Sequence, residues 1–336
     1  MNTLIKHSAV MAVGRMLTEA SGMFAKTQQP QVQFTHQTAL PVFRKNNRKG
    51  YLGFLFILPV LVIVVFFFIT PLIMTAWMSF FKWPMFGKTK FIGWINYTNI
   101  LQDDVFWHAL KFTFIYAIIM TPLIFIFSMI LASLVKDSHK PGVSLFRSVY
   151  FLPTVIGFGT ASILWKWLLD VRFGLLNHLA VSLHLVDSPI MYQDSLSQGF
   201  MVVVSMVLWK TLGFNMILLL VGLQGISKDI YQAAQVDGAV GWRRLRYITL
   251  PLMRRTFMLT LILSVSGSLL AFDQFYIITN GGPMDQTITS VFYIYNNSFI
   301  NGRLGYGAAL SIIQLFILMV ISVLQIWLLR DKEGRA

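Results

Sequence analysis

Tyr231 to Pro251 reads YQAAQVDGAVGWRRLRYITLP, a polar, basic segment rich in small residues and lodged between two long apolar runs. Ile230 to Val236 has the composition of a short helix whose small Ala233 and Ala234 permit close docking in a groove. Asp237-Gly238 offers a turn, because glycine tolerates positive φ and aspartate bonds back to its own backbone. A second short helix is expected from about Gly241 to Thr249. Pro251 stands where a new helix can begin, since proline is tolerated in a first helical turn and removes a hydrogen bond deeper in. The segment predicts a helix-turn-helix foot joining two membrane crossings.

The flanking sequence supports that setting. Of 336 residues, 56% are apolar, 15% aromatic and only 12% charged, which excludes a soluble domain with a normal polar surface. Six apolar stretches are long enough to cross a bilayer as helices: Leu52 to Ala76, Leu110 to Leu134, Ser148 to Leu169, Gly199 to Gly222, Thr256 to Thr279 and Tyr306 to Leu329. Barrel strands would be about half as long and would alternate. Nineteen of the 27 basic residues fall before the first span, after the sixth, or in the loops between spans two and three and between four and five. By the positive-inside rule both termini and the Tyr231 foot are cytoplasmic. The net charge of +14 is thereby accounted for by anionic lipid at the membrane boundary, with no nucleic acid partner.

Chemistry on the chain itself is not expected. Absence of cysteine excludes disulfides, thiolate metal sites and a cysteine nucleophile, and the six histidines are scattered. No Walker A loop occurs, so no ATP or other cofactor is expected in this chain. Residues 1–50 form an extension, mildly amphipathic to Phe24, which reads as an interfacial helix or a mobile tail; it is not a convincing signal peptide. Residues 51–330 are then the membrane domain, 229–251 the foot within it, and 331–336 a cytoplasmic tail.

The foot resembles the EAA loop of permease subunits in binding-protein-dependent ABC importers, where two alanines, then Asp-Gly-Ala, then Ile-x-Leu-Pro recur at these offsets. The usual glutamate of that motif is Gln232 here, which weakens any ion pair made with the ATPase at this position to a neutral hydrogen bond. Three further stretches are similar to carbohydrate permeases of the maltose and glycerol-phosphate type: FIGWINYTNILQDDVFW (91–107), FDQFYIITNGGP (272–283), and TITSVFYIYNNSFINGRLGYGAALS (287–311). In the second, Asn280-Gly281-Gly282-Pro283 ends a helix sharply, with glycine in the C-cap role. In the third, Gly305, Gly307, Ala308 and Ala309 allow close packing. The resemblance implies an all-α membrane protein with the six-helix, type I importer fold and a cytoplasmic coupling helix. It further implies ATPase contact through Tyr231, Gln232, Ala233, Ala234, Asp237, Gly238 and Ala239. The implied partners are a second homologous permease, two ATPase subunits that hold ATP and magnesium, an extracytoplasmic solute-binding protein, and a sugar or oligosaccharide.

Transporter sites tend to lie near the bilayer midplane. Polar residues there are few: Lys210, Thr211 and Asn215 in span four, and Ser264, Ser266 and Ser268 in span five. Ser264 and Ser268 are four apart and share a helix face. Alignment with the maltose type of importer places Lys210, Thr211, Phe214, Ser264 and Ser268 on the substrate path, with only Ser264 unchanged in type. An ammonium at mid-membrane costs on the order of 3 kcal/mol, so Lys210 needs a partner or a wet cavity. One reading is an anionic substrate, a uronate oligosaccharide or sugar phosphate. The other is a salt bridge to Asp273, with Trp209 adding a cation-π contact. Gln274 and Tyr276 are expected to face the outer vestibule. Rival classes are an ion-coupled secondary transporter, which would be expected to show paired intramembrane acids, and a polytopic enzyme, which needs clustered acids or histidines at one face.

Overall fold

The computed structural model describes residues 48–329 except 137–140, 190 and 194. Most of the N-terminal extension and the tail 331–336 lie outside them. The chain divides into compact units Met1–Val62 and Ile63–Ala336. The first contributes the opening of an apolar helix, and the packed bundle belongs to the second.

The elements, in chain order, are helix α1 (Phe54–Met78), a hairpin of β1 (Phe81–Lys82) and β2 (Lys90–Phe91), α2 (Ile95–Leu101), α3 (Asp104–Leu134), α4 (Val143–Val155), α5 (Phe158–Leu168), α6 (Leu175–Ser182), α7 (Leu196–Gln224), α8 (Lys228–Val236), α9 (Gly241–Leu252), α10 (Arg254–Leu269), α11 (Ser290–Tyr295) and α12 (Leu304–Leu329). In the hairpin Phe81 pairs with Phe91 and Lys82 with Lys90. Four helices, α1, α3, α7 and α12, are long and apolar enough to cross a membrane singly, and two bent pairs raise the number to six.

The bent pairs change the bounds read from sequence for the third and fifth spans. Span three starts earlier, at Val143, and breaks between α4 and α5 with a bend of 100°. Pro153 lacks the N–H that would continue the ladder, and Ile156 and Gly157 are extended, with ψ of 146° and 156°. Span five starts at Arg254, after an 81° bend from α9, and its regular helix ends at Leu269; a π-helical turn at Phe275–Thr279 completes it. Pro251 opens a short helical turn, Leu250–Leu252, at the end of α9, and the chain turns at Met253 (φ −87°, ψ 5°) before span five begins. A π-helical turn precedes both Thr70-Pro71 and Leu250-Pro251, at Val65–Ile69 and Leu245–Thr249. The proline ring clashes with the carbonyl four residues back, and widening the preceding turn relieves it.

Helix α3 packs along α7 and α10, and α4 lies against α7. At Gly213 of α7 an added methyl would overlap the Tyr150 carbonyl, so glycine there sets how closely α4 and α7 approach. The largest core cluster joins Tyr116 and Met120 of α3 to Val203 and Met206 of α7 and to Phe275 and Ile278. A second, around Met216, Leu219, Leu223 and Met253, packs the opposite end. The helix before the Gly-Gly-Pro turn is capped by Asn280 in the left-handed region (φ 50°). Glycine was expected to hold that cap; Gly281 (φ 82°) follows it.

Candidate functional site

Span three's break and the centres of α7 and α10 enclose a cavity of about 340 Å³. Its walls include Thr154, Phe158, Lys210, Thr211, Phe214, Asn215, Ser264 and Gly267. Five of the six substrate-path residues read from sequence thus meet. Ser268, one turn beyond Ser264, is buried but does not line the cavity.

Lys210 stands at the middle of α7 and is 5% exposed. It bonds neither Asp273 nor the Trp209 ring, correcting both expectations. Its Nζ donates to the Thr154 carbonyl at 3.4 Å and sits 4.5 Å from the centre of the Phe158 ring. Thr154 Oγ1 in turn donates to the Lys210 carbonyl at 3.1 Å, fastening α4 to α7. Trp209 faces Trp165 instead, 6.0 Å between ring centres. Among the described residues no carboxylate lines this cavity.

The remaining polar groups divide into satisfied and open ones. Thr211 Oγ1 donates to the Val207 carbonyl at 2.7 Å, and Asn215 Nδ2 to the Thr211 carbonyl at 2.9 Å. Asn215 Oδ1 and Ser264 Oγ are buried without a partner. Buried polar groups are normally bonded, so an open acceptor and an open hydroxyl beside an ammonium form a set that a polar ligand completes. Sequence reading missed Thr154 and Phe158. The signal was Pro153 and Gly157 inside an apolar run, a breaker pair that turns neighbouring side chains inward.

The foot forms as α8, the turn and α9, with α8 starting two residues earlier than expected. Gly238 takes φ +73° and the Ala239 amide closes onto the Ala234 carbonyl at 2.8 Å. The two alanines separate: Ala234 packs inward at 6% exposure, while Ala233 faces out with Gln232, Asp237 and Gly238. Val236 and Trp242, 89% and 68% exposed, extend that outward face and were not singled out from sequence. Tyr231 turns inward against two cations, Lys136 Nζ at 3.9 Å and Arg244 Cζ at 5.5 Å from its ring centre, and its hydroxyl meets Thr249 Oγ1 at 3.4 Å.

At the far end, Asp103 caps α3 by accepting from the Val105 and Phe106 amides at 3.1 and 3.2 Å. Its other oxygen accepts from the Tyr293 and Tyr306 hydroxyls at 2.5 and 2.6 Å. Burial opposes its charge, but these four donors outweigh burial and hold the carboxyl below its ordinary 3.8. Tyr293 is pushed up to about 12, by burial first and then by the bond it donates to Asp103. Gln274, expected at a vestibule, is buried at 4% exposure.

Residues 105–333 match the family model described as binding-protein-dependent transport system inner membrane component. The chain is 30% identical over 287 residues to the lactose transport system permease protein LacF of Rhizobium radiobacter, covering 84% of this chain and 95% of that one. It is 31% identical over 289 residues to the trehalose/maltose transport system permease protein MalF of Thermococcus litoralis, covering 86% and 95%. A crystal structure of a bacterial alginate ABC transporter, in complex with an alginate pentasaccharide-bound periplasmic protein, superposes with a TM-score of 0.73 at 22% identity, covering 85% of this chain and 96% of that one. The chain belongs to the family of inner membrane components of binding-protein-dependent transport systems. It is a multi-pass, non-catalytic permease subunit with the type I fold.

Proposed function

We propose that this chain forms one half of the pore of an ATP-driven importer of sugars or oligosaccharides, and that its substrate carries negative charge. The observation that carries the charge assignment is Lys210, a mid-span ammonium that among the described residues meets a carbonyl and a ring face, beside the open Asn215 Oδ1 and Ser264 Oγ. A carboxylate or phosphate would satisfy the ammonium, and sugar hydroxyls the two open groups. Both relatives named above are described as permeases for sugars, which supports the carbohydrate class.

Solute arrives from an extracytoplasmic binding protein. Two ATPase subunits holding ATP and magnesium receive the outward face of the foot, where Ala233, Val236 and Asp237 lie, and a second permease completes the pore. Both termini and the foot are cytoplasmic, as the basic loops argue. In this reading the bonded face of the foot, Tyr231 and Ala234, passes the motion on toward the spans.

The test is ATP hydrolysis by the purified complex with its binding protein in liposomes, driven by an acidic oligosaccharide such as oligoalginate or by a neutral one of equal length. Stimulation by the acidic sugar is expected, and Lys210→Met should remove the preference for it while leaving basal hydrolysis intact. An unchanged preference in Lys210→Met refutes the anionic assignment.

A further inference from the structure

Beside the foot lies a second cavity, of about 570 Å³, separate from the one around Lys210. Lys136, Lys228 and Arg244 line it, with Tyr231, Gln232 and Gln235 between them. Lys136 and Arg244 are both gathered at the Tyr231 ring, at 3.9 and 5.5 Å from its centre. Among the described residues no carboxylate lines it. Its remaining walls are apolar in part: Met129 at the end of α3, Leu223 at the end of α7, and Leu245.

The helix lengths argue for the level of this cavity in the bilayer. Helices α3 and α7 run for 31 and 29 residues, so at about 1.5 Å per residue each is roughly 45 Å long, against about 30 Å of hydrocarbon. Their ends therefore stand among the headgroups. Three cations facing a partly apolar wall at that depth suit an anion that carries an acyl chain.

We propose that this cavity is a binding site for an anionic phospholipid, its phosphate held by Lys136, Lys228 and Arg244 and its glycerol and first methylenes against Met129 and Leu223. Gln232 is part of the design. A glutamate there would supply an internal carboxylate to the same cations, whereas glutamine leaves them to an external anion. The lipid then ties the foot to α3 and α7.

Native mass spectrometry of the full-length chain, purified with its associated subunits, tests this with phosphatidylglycerol as the probe. Wild type should retain the lipid through delipidating washes. Lys136→Gln and Arg244→Gln should each weaken retention about fivefold, the equivalent of ~1 kcal/mol per cation near an anionic surface. Gln232→Glu should weaken it as well, although it removes no cation and changes an exposed side chain. Arg243→Gln, on the same foot but outside the cavity, should leave retention unchanged. Equal retention in all four variants overturns the site. So does equally tight binding of glycerol phosphate, which would make the occupant a soluble phosphate ester. Crosslinking of Lys136 to an ATPase carboxylate in the lipid-loaded complex overturns it too, by giving the cations a protein partner.

Discussion

The two ends of this bundle are held by different forces. At the outer end by the basic-loop argument, Asp103 ties α3 to Tyr293 and Tyr306. Thr289 Oγ1 donates to the Ala271 carbonyl at 2.6 Å, the Ser290 amide to Thr113 Oγ1 at 2.8 Å, and Gln314 Nε2 to the Leu269 carbonyl at 3.1 Å. The foot is held by the packing of Ala234, two cation-ring contacts and one 3.4 Å hydroxyl contact, and it leaves Val236, Trp242 and Tyr247 largely exposed. A network of buried hydrogen bonds fixes one geometry, whereas apolar surface and long contacts leave an element able to be captured by a partner. The contrast suits the proposed function, in which the foot answers to another subunit while the opposite end keeps its shape.

The largest effect should come from matched glycine substitutions. A methyl at Gly305 would overlap the Phe81 carbonyl, while a methyl at Gly238 meets nothing within 4 Å and suffers only its φ of +73°. Gly305→Ala should cost about 3 kcal/mol by overpacking and Gly238→Ala about 1 kcal/mol by backbone strain, read as thermal unfolding of the detergent-solubilised protein. Equal shifts would erase the distinction between the ends.

Acid should separate them next. The folded Asp103 carboxyl is held below 3.8, so its stabilisation is present above that value and is lost as pH falls through the lower, folded one. Thermal stability should accordingly show an extra loss below about pH 4 that Asp103→Asn lacks, the variant being about 2 kcal/mol less stable at neutral pH. A wild-type profile that parallels the variant's would remove the charged cap from the account of the outer end.

The smallest effect on stability belongs to the cavity between the ends. Ser264 Oγ is buried without a partner, so Ser264→Ala should change stability by no more than about 0.5 kcal/mol, or raise it. Under the proposed function transport should still fall, because a solute hydroxyl would be what completes Ser264 Oγ. A marked loss of stability would mean that Ser264 serves the fold.

Sequence alone determined what is local. A run of apolar residues longer than the bilayer is thick dictates a spanning helix, because no other backbone arrangement satisfies its polar groups in hydrocarbon. The foot was legible for the same reason: Asp237-Gly238 needs its positive φ whatever surrounds it, and the offsets from Ala233 to Pro251 lie within one short segment. Lys210, Asn215 and Ser264 stood out as polar residues in apolar runs. Only the tertiary structure decided their company. Thr154 reaches Lys210 across 56 positions of sequence, and Asp103 finds Tyr293 and Tyr306 across 190 and 203. Such contacts depend on where helices cross and bend, and on the close approach that Gly213 and Gly305 permit. No periodicity in the chain encodes that, because it arises when side chains from distant segments compete for the same space.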